Sequence, residues 1–129
     1  MTIGPGDATR IASEAAADGY SLILTAGGDG TLNEVLNGVA SVPGGLRNVT
    51  FGIIPLGTGN DFATALGIPH DVEQAIDTLI SATPTVVDLG ALNDVYFINV
   101  SAGGFIAEVS DAVTTRLKTV AGRLAYLIG

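Results

Sequence analysis

The pattern of apolar positions predicts strands and helices that alternate over the first part of the chain. Two short runs, 21–26 and 49–54, are mostly apolar and are followed by glycine or proline. Such runs are typical of strands that are buried on both faces of a parallel sheet. Four segments are predicted helices: 7–18, 31–40, 61–66 and the segment after Asp71. In the second of them, the apolar residues recur at helical spacing and predict one buried face: Leu32, Val35, Leu36 and Val39. The expected fold class is therefore α/β, an open parallel sheet with flanking helices.

Small and polar residues indicate where these helices begin and end. Asp7 follows Gly4-Pro5-Gly6 and is predicted to cap the first helix, which Asp18-Gly19 closes with a left-handed glycine. Asp71 is predicted to cap the last helix. Pro43-Gly44-Gly45 predicts a turn before the second strand.

Beyond Pro84 the pattern changes to successive strands. Residues 85–92 and 95–101 are predicted strands joined by the tight-turn pair Asn93-Asp94, which indicates an antiparallel hairpin. The segment 105–127 shows weaker signals that favour helix.

This change divides the chain into two predicted domains. The first is a partial α/β unit at 1–84, and the second is the start of a β-sandwich-like unit at 85–129. Two parallel strands alone leave long sheet edges open. The chain also begins at a helix cap and stops soon after the new strands. We therefore expect it to be part of a longer protein.

Composition narrows the classes of function. The chain has 129 residues, a net charge of −8 and no cysteine. The charge argues against a nucleic-acid partner, because phosphate backbones attract Lys and Arg. Disulfides and thiolate metal sites are excluded, and His70 alone cannot build a zinc site. No apolar run approaches the ~20 residues of a membrane span and no signal segment opens the chain, so we expect a cytoplasmic protein.

The few basic residues and the histidine allow more than one interpretation. Arg116, Lys118 and Arg123 lie close together near the end of the chain. They can face an anionic ligand or a membrane, or they can form a solvated helix face. His70 stands between a proline and a helix cap, where a surface role is expected.

Residues 27–34, Gly-Gly-Asp-Gly-Thr-Leu-Asn-Glu, carry the strongest functional signal. A strand that ends at glycines and continues as a helix directs backbone N–H groups to one point, where phosphate binds well. A carboxylate such as Asp29 repels phosphate unless it serves a metal ion or a proton transfer. Thr31 and Glu34 also fit a helix capping box, which leaves the glycines around Asp29 unexplained. Nucleotide chemistry is the preferred interpretation.

The second candidate site is the loop 55–61, Pro-Leu-Gly-Thr-Gly-Asn-Asp, which ends the second strand. If the two strands are parallel neighbours, both loops lie at their carboxyl ends, where open α/β sheets bind ligands. Asp29 and Asp61 then converge, and two carboxylates beside a phosphoryl donor imply Mg²⁺. The alternative is that Asp61 only caps the helix that follows.

Several familiar motifs are absent from the sequence. It has no Gly-x-x-x-x-Gly-Lys-Ser/Thr, no Gly-x-Gly-x-x-Gly after a strand and no Gly-x-Ser-x-Gly. A P-loop protein and a dinucleotide dehydrogenase are therefore not supported. Ser101-Ala102-Gly103-Gly104 fits either a close approach to a ligand or a bulge.

Taken together, the segments GGDGTLNEV, PLGTGNDFA and FINVSAGGF resemble the bacterial diacylglycerol kinase-like lipid kinases, the YegS-type branch included. The resemblance extends from Thr2 to Tyr126, over nearly the whole chain. GGDGT is shared with NAD kinases and phosphofructokinases, whereas PLGTGNDFA is more specific and favours a lipid kinase. The resemblance implies an α/β nucleotide-binding domain followed by a β-sandwich-like domain, with a cleft between them.

The resemblance also implies cofactors and site residues. ATP and Mg²⁺ are the implied cofactors. Asp29 and Asp61 match the acidic positions of the family's Mg²⁺ and substrate network, so both are predicted to be catalytic and to hold the metal through water. The predicted nucleotide-binding residues are Thr2, Gly28, Asp29, Gly30, Thr31, Leu32, Asn33, Glu34, Thr58 and Asn60.

Two parts of the family pattern are missing from the sequence. The family's opening strand and Asn-Pro-x-Ser-Gly loop would precede Thr2, and its acidic general base belongs to the rest of the second domain. The leading hypothesis is an ATP-dependent kinase that phosphorylates a lipid hydroxyl, such as that of diacylglycerol, at the inner face of the membrane. The alternatives are a soluble-substrate kinase of the NAD kinase type and a nucleotide-binding fragment without turnover. A homodimer is a further hypothesis, because open sheet edges favour self-association.

Overall fold

A computed structural model of the chain describes residues 2–99, which belong to one compact unit. Within this range the chain forms five helices and four strands. In chain order they are α1 (Asp7–Ala17), β1 (Leu22–Gly27), α2 (Asp29–Ala40), α3 (Gly45–Asn48), β2 (Thr50–Pro55), α4 (Asp61–Ala65), α5 (Val72–Ser81), β3 (Gly90–Leu92) and β4 (Val95–Phe97).

Strands β1 and β2 are parallel neighbours, as the sequence predicts. Their register runs from Leu22 opposite Thr50 to Gly27 opposite Pro55. The Leu56 amide donates to the Gly27 carbonyl at 3.0 Å, which extends the pairing by one bond beyond β2. Both strands therefore end at the same level, and the loops that follow them leave the sheet side by side.

The core lies between the sheet and the helices α1 and α2. The apolar positions of α2 that helical spacing predicts are all buried, and Val39 is fully so. One buried cluster joins α1 to α2 around Val39, Ala8 and Ala12. A second cluster contains Leu32, Ile53 and Ala63 and therefore links α2, β2 and α4. The apolar packing thus holds together three of the four elements that border the two loops.

The expectation that both strands are buried on both faces is wrong for β1. Leu22 and Leu24 are 54% and 55% exposed. Helix α5 packs against β2 rather than β1. An added Cβ on Gly52 of β2 would lie 3.1 Å from Leu79 of α5. Among the described residues, one face of β1 is therefore covered only in part.

One helix start and one alternative for a helix cap differ from the structure. Helix α2 begins at Asp29 rather than at Thr31, because Gly28 takes the extended N-cap position and its carbonyl accepts the Leu32 amide at 3.0 Å. Thr31 is consequently the third helical residue, and the capping-box interpretation is wrong. Helix α4 begins at Asp61 as predicted, but Asn60 takes its N-cap position, so the alternative that Asp61 caps this helix is wrong.

The other helix ends agree more closely with the sequence. Asp18 and Gly19 close α1, with Gly19 at φ 87°, and Asp71 caps α5 by accepting the Gln74 amide at 3.1 Å. Gly6 rather than Asp7 caps α1, because the Asp7 carboxylate turns back to accept the Ile3 and Gly4 amides. The short helix α3 was not predicted, since only a turn at Pro43–Gly45 was expected there.

The predicted antiparallel hairpin is present in shortened form. Strands β3 and β4 pair antiparallel with Leu92 opposite Val95, and Asn93 adopts φ 52° at the turn. The helix-leaning segment 105–127, the Ser101–Gly104 segment and the three basic residues near the chain end lie outside the described residues. The division into domains at 1–84 and 85–129 stays a prediction. No helix within residues 2–99 is both long and apolar enough to span a bilayer.

Candidate active site

The two loops that follow β1 and β2 touch through glycine backbone. A Cβ added to Gly28 would lie 3.0 Å from the Gly57 Cα, and a Cβ on Gly57 would overlap the Gly28 Cα. The second would also lie 2.7 Å from the Asn60 Oδ1. Side chains at either position would force the loops apart. Glycine is therefore required at this crossing for steric reasons.

Asp29, the first residue of α2, holds the start of α4. Its Oδ2 accepts the Asp61 amide at 3.0 Å and its Oδ1 accepts the Phe62 amide at 3.1 Å. These amides belong to the first turn of α4 and have no acceptor within that helix. One carboxylate thus joins the first loop to the second. The predicted convergence of the two loops is observed, with Asp29 as the link.

The Asp29 carboxylate is stabilised in its charged form. Burial raises the pKa of Asp29, but the hydrogen bonds from the Phe62 and Asp61 amides and from the Asn99 side chain outweigh this effect. The net result is a pKa below the ordinary value of an aspartate. Asp29 is therefore an anion at neutral pH and presents negative charge beside the second loop.

The carboxylates of Asp29 and Asp61 face the same point above Gly59. A Cβ added to Gly59 would lie 3.4 Å from the Asp29 Oδ2 and 3.7 and 3.8 Å from the two Asp61 carboxylate oxygens. The absent side chain leaves this space free. Mg²⁺ commonly binds one or two carboxylates and completes its shell with water and substrate phosphate. The donor set therefore fits a magnesium ion held with the help of water.

No group of three or more His, Cys, Asp or Glu side chains suited to a metal occurs within the described part of the chain. If a cation beside Asp29 and Asp61 takes its protein ligands from residues 2–99 alone, its remaining ligands must be water or the oxygens of a bound phosphate.

A cleft of about 360 Å³ opens on the other side of the first turn of α2. The Glu34 carboxylate accepts the Gly6 amide at 3.2 Å and so holds the segment before α1 against α2. Gly30 is exposed and has open space around it. The residues that line the cleft are Thr2, Ile3, Gly4, Pro5, Ala8, Thr31 and Glu34.

The structure brings some of the predicted site residues together and separates others. Thr2, Thr31 and Glu34 share the cleft, and Asp29 and Asp61 share the space above Gly59. Thr58 is exposed in the second loop and is not among the residues that line the cleft.

Three predicted nucleotide-binding side chains do not point to open space. Leu32 is 5% exposed and lies in the core, and its amide donates to Gly28. Asn60 is 4% exposed, and its amide group pairs with both the N–H and the carbonyl of Gly57, at 2.9 and 2.8 Å. The Asn33 Oδ1 is buried and has no partner within the described residues. The buried side chains of Leu32 and Asn60 thus stabilise the conformation of the two loops.

Sequence reasoning missed the part played by Asn37 and by the segment after β4. The Asn37 side chain binds the backbone of Tyr96, and the Asn99 side chain contributes to the lowered pKa of Asp29. One signal was available: Asn33 and Asn37 follow Asp29 at intervals of four, which places three polar residues on one face of a helix.

Comparison with known proteins identifies the family of this chain. Residues 1–92 match the family described as the diacylglycerol kinase catalytic domain. The chain belongs to this family. The diacylglycerol kinase of Bacillus subtilis is 48% identical over 124 residues, which cover 95% of this chain and 40% of the relative. That of Staphylococcus aureus (strain Newman) is 46% identical over 123 residues, which cover 95% of this chain and 38% of the relative.

Solved structures of the diacylglycerol kinase family show the same fold. A crystal structure of a diacylglycerol kinase from Bacillus anthracis has a TM-score of 0.69 and 37% identity, over 76% of this chain and 36% of that chain. A second structure from that organism has a TM-score of 0.69 and 31% identity, over 92% of this chain and 44% of that chain. The resemblance and the α/β fold class inferred from the sequence are confirmed. The chain spans about 40% of the length of the curated relatives.

Proposed function

We propose that the protein carrying this chain is an ATP-dependent lipid kinase, which transfers the γ-phosphate of ATP to a lipid hydroxyl such as that of diacylglycerol. One observation carries the proposal: two carboxylates from different loops, Asp29 and Asp61, converge above Gly59 beside the first turn of α2. Simple phosphate binding does not require them. Membership of the diacylglycerol kinase family supports the choice of a lipid as acceptor.

The nucleotide is assigned to the first turn of α2 and the adjoining cleft. The N–H groups at residues 28–31 lie at a helix N-terminus, where they favour phosphate oxygens. Thr2, Thr31 and Glu34 line the cleft that receives the rest of the nucleotide. Thr58 is assigned to the phosphate side of the second loop.

Mg²⁺ is assigned to the space between Asp29 and Asp61. When bound, the ion neutralises phosphate charge during phosphoryl transfer. Asp61 is the better placed of the two to accept hydrogen bonds from water molecules bound to the ion, because both Asp29 oxygens already accept hydrogen bonds from amides of α4. The residues of the chain itself orient the carboxylates. Asp29 fixes the start of α4, and α4 in turn sets the position of the Asp61 carboxylate.

Because a lipid acceptor lies in a membrane, we also propose that the protein acts as a peripheral protein at the cytoplasmic face of that membrane. A homodimer is proposed as well, and the exposed Leu22 and Leu24 of β1 support it. Sedimentation analysis tests the dimer: wild type should sediment as a dimer, and Leu24→Lys should shift it to monomer. A monomeric wild type would contradict it.

Labelled phosphate transfer tests the assignment directly. The protein is incubated with γ-labelled ATP and Mg²⁺, together with diacylglycerol vesicles, with NAD or with neither acceptor, while thermal unfolding is followed in parallel samples. Labelled phosphatidate supports the proposal. Label on NAD supports the soluble-substrate kinase. Stabilisation by ATP without product supports a binding fragment without turnover, and the absence of both refutes the nucleotide site.

A further inference from the structure

The segment before α1, residues 2–6, forms a strap on the surface of the protein. Every residue of the strap is exposed, and Ile3 is 95% exposed. Its last residue, Gly6, nevertheless takes a defined left-handed conformation, with φ 84°, at the N-cap of α1. Because the strap buries little apolar area, its conformation depends on hydrogen bonds rather than on packing.

Asp7, the first residue of α1, folds the first half of the strap. Its Oδ2 accepts the Ile3 amide at 2.8 Å and the Gly4 amide at 3.2 Å. The Asp7 amide in turn donates to the Gly4 carbonyl at 3.3 Å. Pro5, the next residue of the strap, has no N–H to donate. Asp7 is not among the residues that line the cleft, so its hydrogen bonds act on the strap alone.

Glu34 attaches the other end of the strap to α2. Its Oε2 accepts the Gly6 amide at 3.2 Å, although the two residues are 28 positions apart in the sequence. Glu34 follows Gly30 by four residues and so lies one turn beyond the exposed first turn of α2. A carboxylate that faced the cleft there without a partner would repel an anionic ligand. Attachment of the strap explains why an acidic residue occupies this position.

This attachment joins the two walls of the cleft. The strap supplies residues 2–5 of the lining, and α2 supplies Thr31 and Glu34. None of the strap side chains is buried, so apolar packing does not replace the bond from Gly6 to Glu34 when it is lost. Without that bond the strap is free to move away from α2, and the cleft widens.

We propose that Asp7 and Glu34 are positioning residues of the nucleotide cleft. Asp7 sets the conformation of the strap, and Glu34 holds the strap at the distance from α2 that the nucleotide requires. This role differs from the expectation from the sequence that Glu34 itself contacts the nucleotide. The effect on nucleotide binding rests on the proposed function, whereas the attachment of the strap does not.

Hydrogen exchange tests the attachment without a ligand. In the 129-residue chain, NMR measures the exchange rates of the Ile3, Gly4 and Gly6 amides. Glu34→Ala should raise the rate of the Gly6 amide about three- to tenfold, as expected for the loss of one hydrogen bond, and should leave the other two amides unchanged. Asp7→Ala should instead raise the rates of the Ile3 and Gly4 amides. An unchanged Gly6 amide in Glu34→Ala would overturn the proposal.

ATP binding separates positioning from direct contact. Calorimetric titration of the same proteins with ATP and Mg²⁺ measures Kd. Glu34→Ala and Asp7→Ala should each raise the Kd for ATP about three- to tenfold, although Asp7 lies outside the cleft, because a mobile strap must be ordered on binding. The double variant should raise Kd by less than the product of the two single effects, since both residues act on one strap.

Conservative variants provide the matched comparison. Glu34→Gln and Asp7→Asn each keep an acceptor oxygen, so each should lose less affinity for ATP than the alanine variant at the same position. They also serve as test proteins if an alanine variant does not fold. The control is Glu73→Ala, which removes an exposed glutamate of α5 and should change neither the exchange rates nor Kd.

The possible outcomes distinguish the proposal from the function on which it rests. If Glu34→Gln binds ATP as weakly as Glu34→Ala while its Gly6 amide stays protected, the Glu34 charge acts on the ligand and the proposal fails. It also fails if the exchange rates change and neither alanine variant alters Kd. If the exchange rates change as expected and the wild type binds no ATP, the proposed nucleotide site is refuted and the attachment of the strap stands.

Discussion

The two loops at the carboxyl end of the sheet are built in different ways. In the first loop, extended Gly28 leads straight into α2, and the exposed first turn has open space around Gly30. The second loop is closed on itself: Asn60, at φ 55°, binds the backbone of Gly57 through its own side chain. The first loop exposes groups that can bind a ligand, and the second loop is held in one conformation by its own hydrogen bonds.

This difference teaches how one aspartate from each loop can serve one site. The closed second loop supplies a fixed start for α4, and Asp29 of the open first loop binds that start. Neither loop is sufficient, because the position of Asp61 depends on both. Variants of the open first loop and variants that disturb the conformation of the closed second loop should therefore differ in their effects on ligand binding and on stability.

The largest expected effect comes from the two carboxylates. Asp61→Asn and Asp29→Ala should each lower phosphate transfer to lipid by about 100-fold or more, as is usual when a group that stabilises transition-state charge is removed. Asp29→Ala should also lower stability by about 1 kcal/mol, because α4 loses its capping acceptor. Labelled transfer and urea unfolding measure the two effects. The exposed Asp77→Asn is the control, and an active Asp61→Asn enzyme would refute the role of Asp61.

Next in size is a pair of glycine substitutions, one in each loop. Gly57→Ala should destabilise the protein by about 1–3 kcal/mol, because the new methyl group meets the Gly28 backbone. In Gly30→Ala the added methyl group contacts no other atom, and a helical glycine is removed. This substitution should leave the stability of the fold unchanged or raise it by up to about 1 kcal/mol. Gly30→Ala should still weaken ATP binding if phosphate approaches that turn. Equal stability of the two variants would contradict the contrast between the loops.

Substitutions of Asn60 divide the second loop's stability into two parts. Asn60→Gly keeps the left-handed backbone and loses two hydrogen bonds, which should cost about 1–2 kcal/mol. Asn60→Ala loses the same bonds and adds the strain of a left-handed alanine, so it should cost about 1 kcal/mol more. Thermal unfolding of the two variants measures the difference. Identical values would show that the backbone conformation is not strained.

The smallest expected effect is a dependence of stability on pH. Asp29 has a lower pKa in the folded protein than in the unfolded chain, where it is about 3.9. The charged group therefore stabilises the fold above that value, and this contribution is lost as the pH falls through the folded pKa. The stability gap between wild type and Asp29→Asn should be present near neutral pH and shrink below about pH 4. A gap that does not depend on pH would contradict the role of the Asp29 charge.

The sequence predicts the fold and the meeting of the loops better than the role of single side chains. Mostly apolar strands identified the parallel pair, and the spacing of Val35, Leu36 and Val39 identified the buried face of α2. Leu32 and Asn60 were predicted to bind nucleotide from their place in a motif, yet their side chains turn inward. Motif position gives the backbone location of a residue, and the direction of the side chain depends on packing.

The partner of Asn37 illustrates what sequence reasoning cannot identify. This partner, Tyr96, is separated from it by 59 residues, and no local pattern pairs a helical asparagine with a distant strand. The exposure of Leu22 and Leu24 has the same origin, since it depends on which strand α5 covers. Such properties depend on tertiary contacts.

The central claim is that the two loops form one site for ATP and Mg²⁺. Calorimetric titration of ATP into wild type and Asp61→Asn, each with Mg²⁺ and with a chelator, tests it most directly. Mg²⁺ should tighten ATP binding by wild type at least about tenfold, or 1.4 kcal/mol, and should have little effect on Asp61→Asn. An equal response of both proteins to Mg²⁺ would contradict the two-loop site.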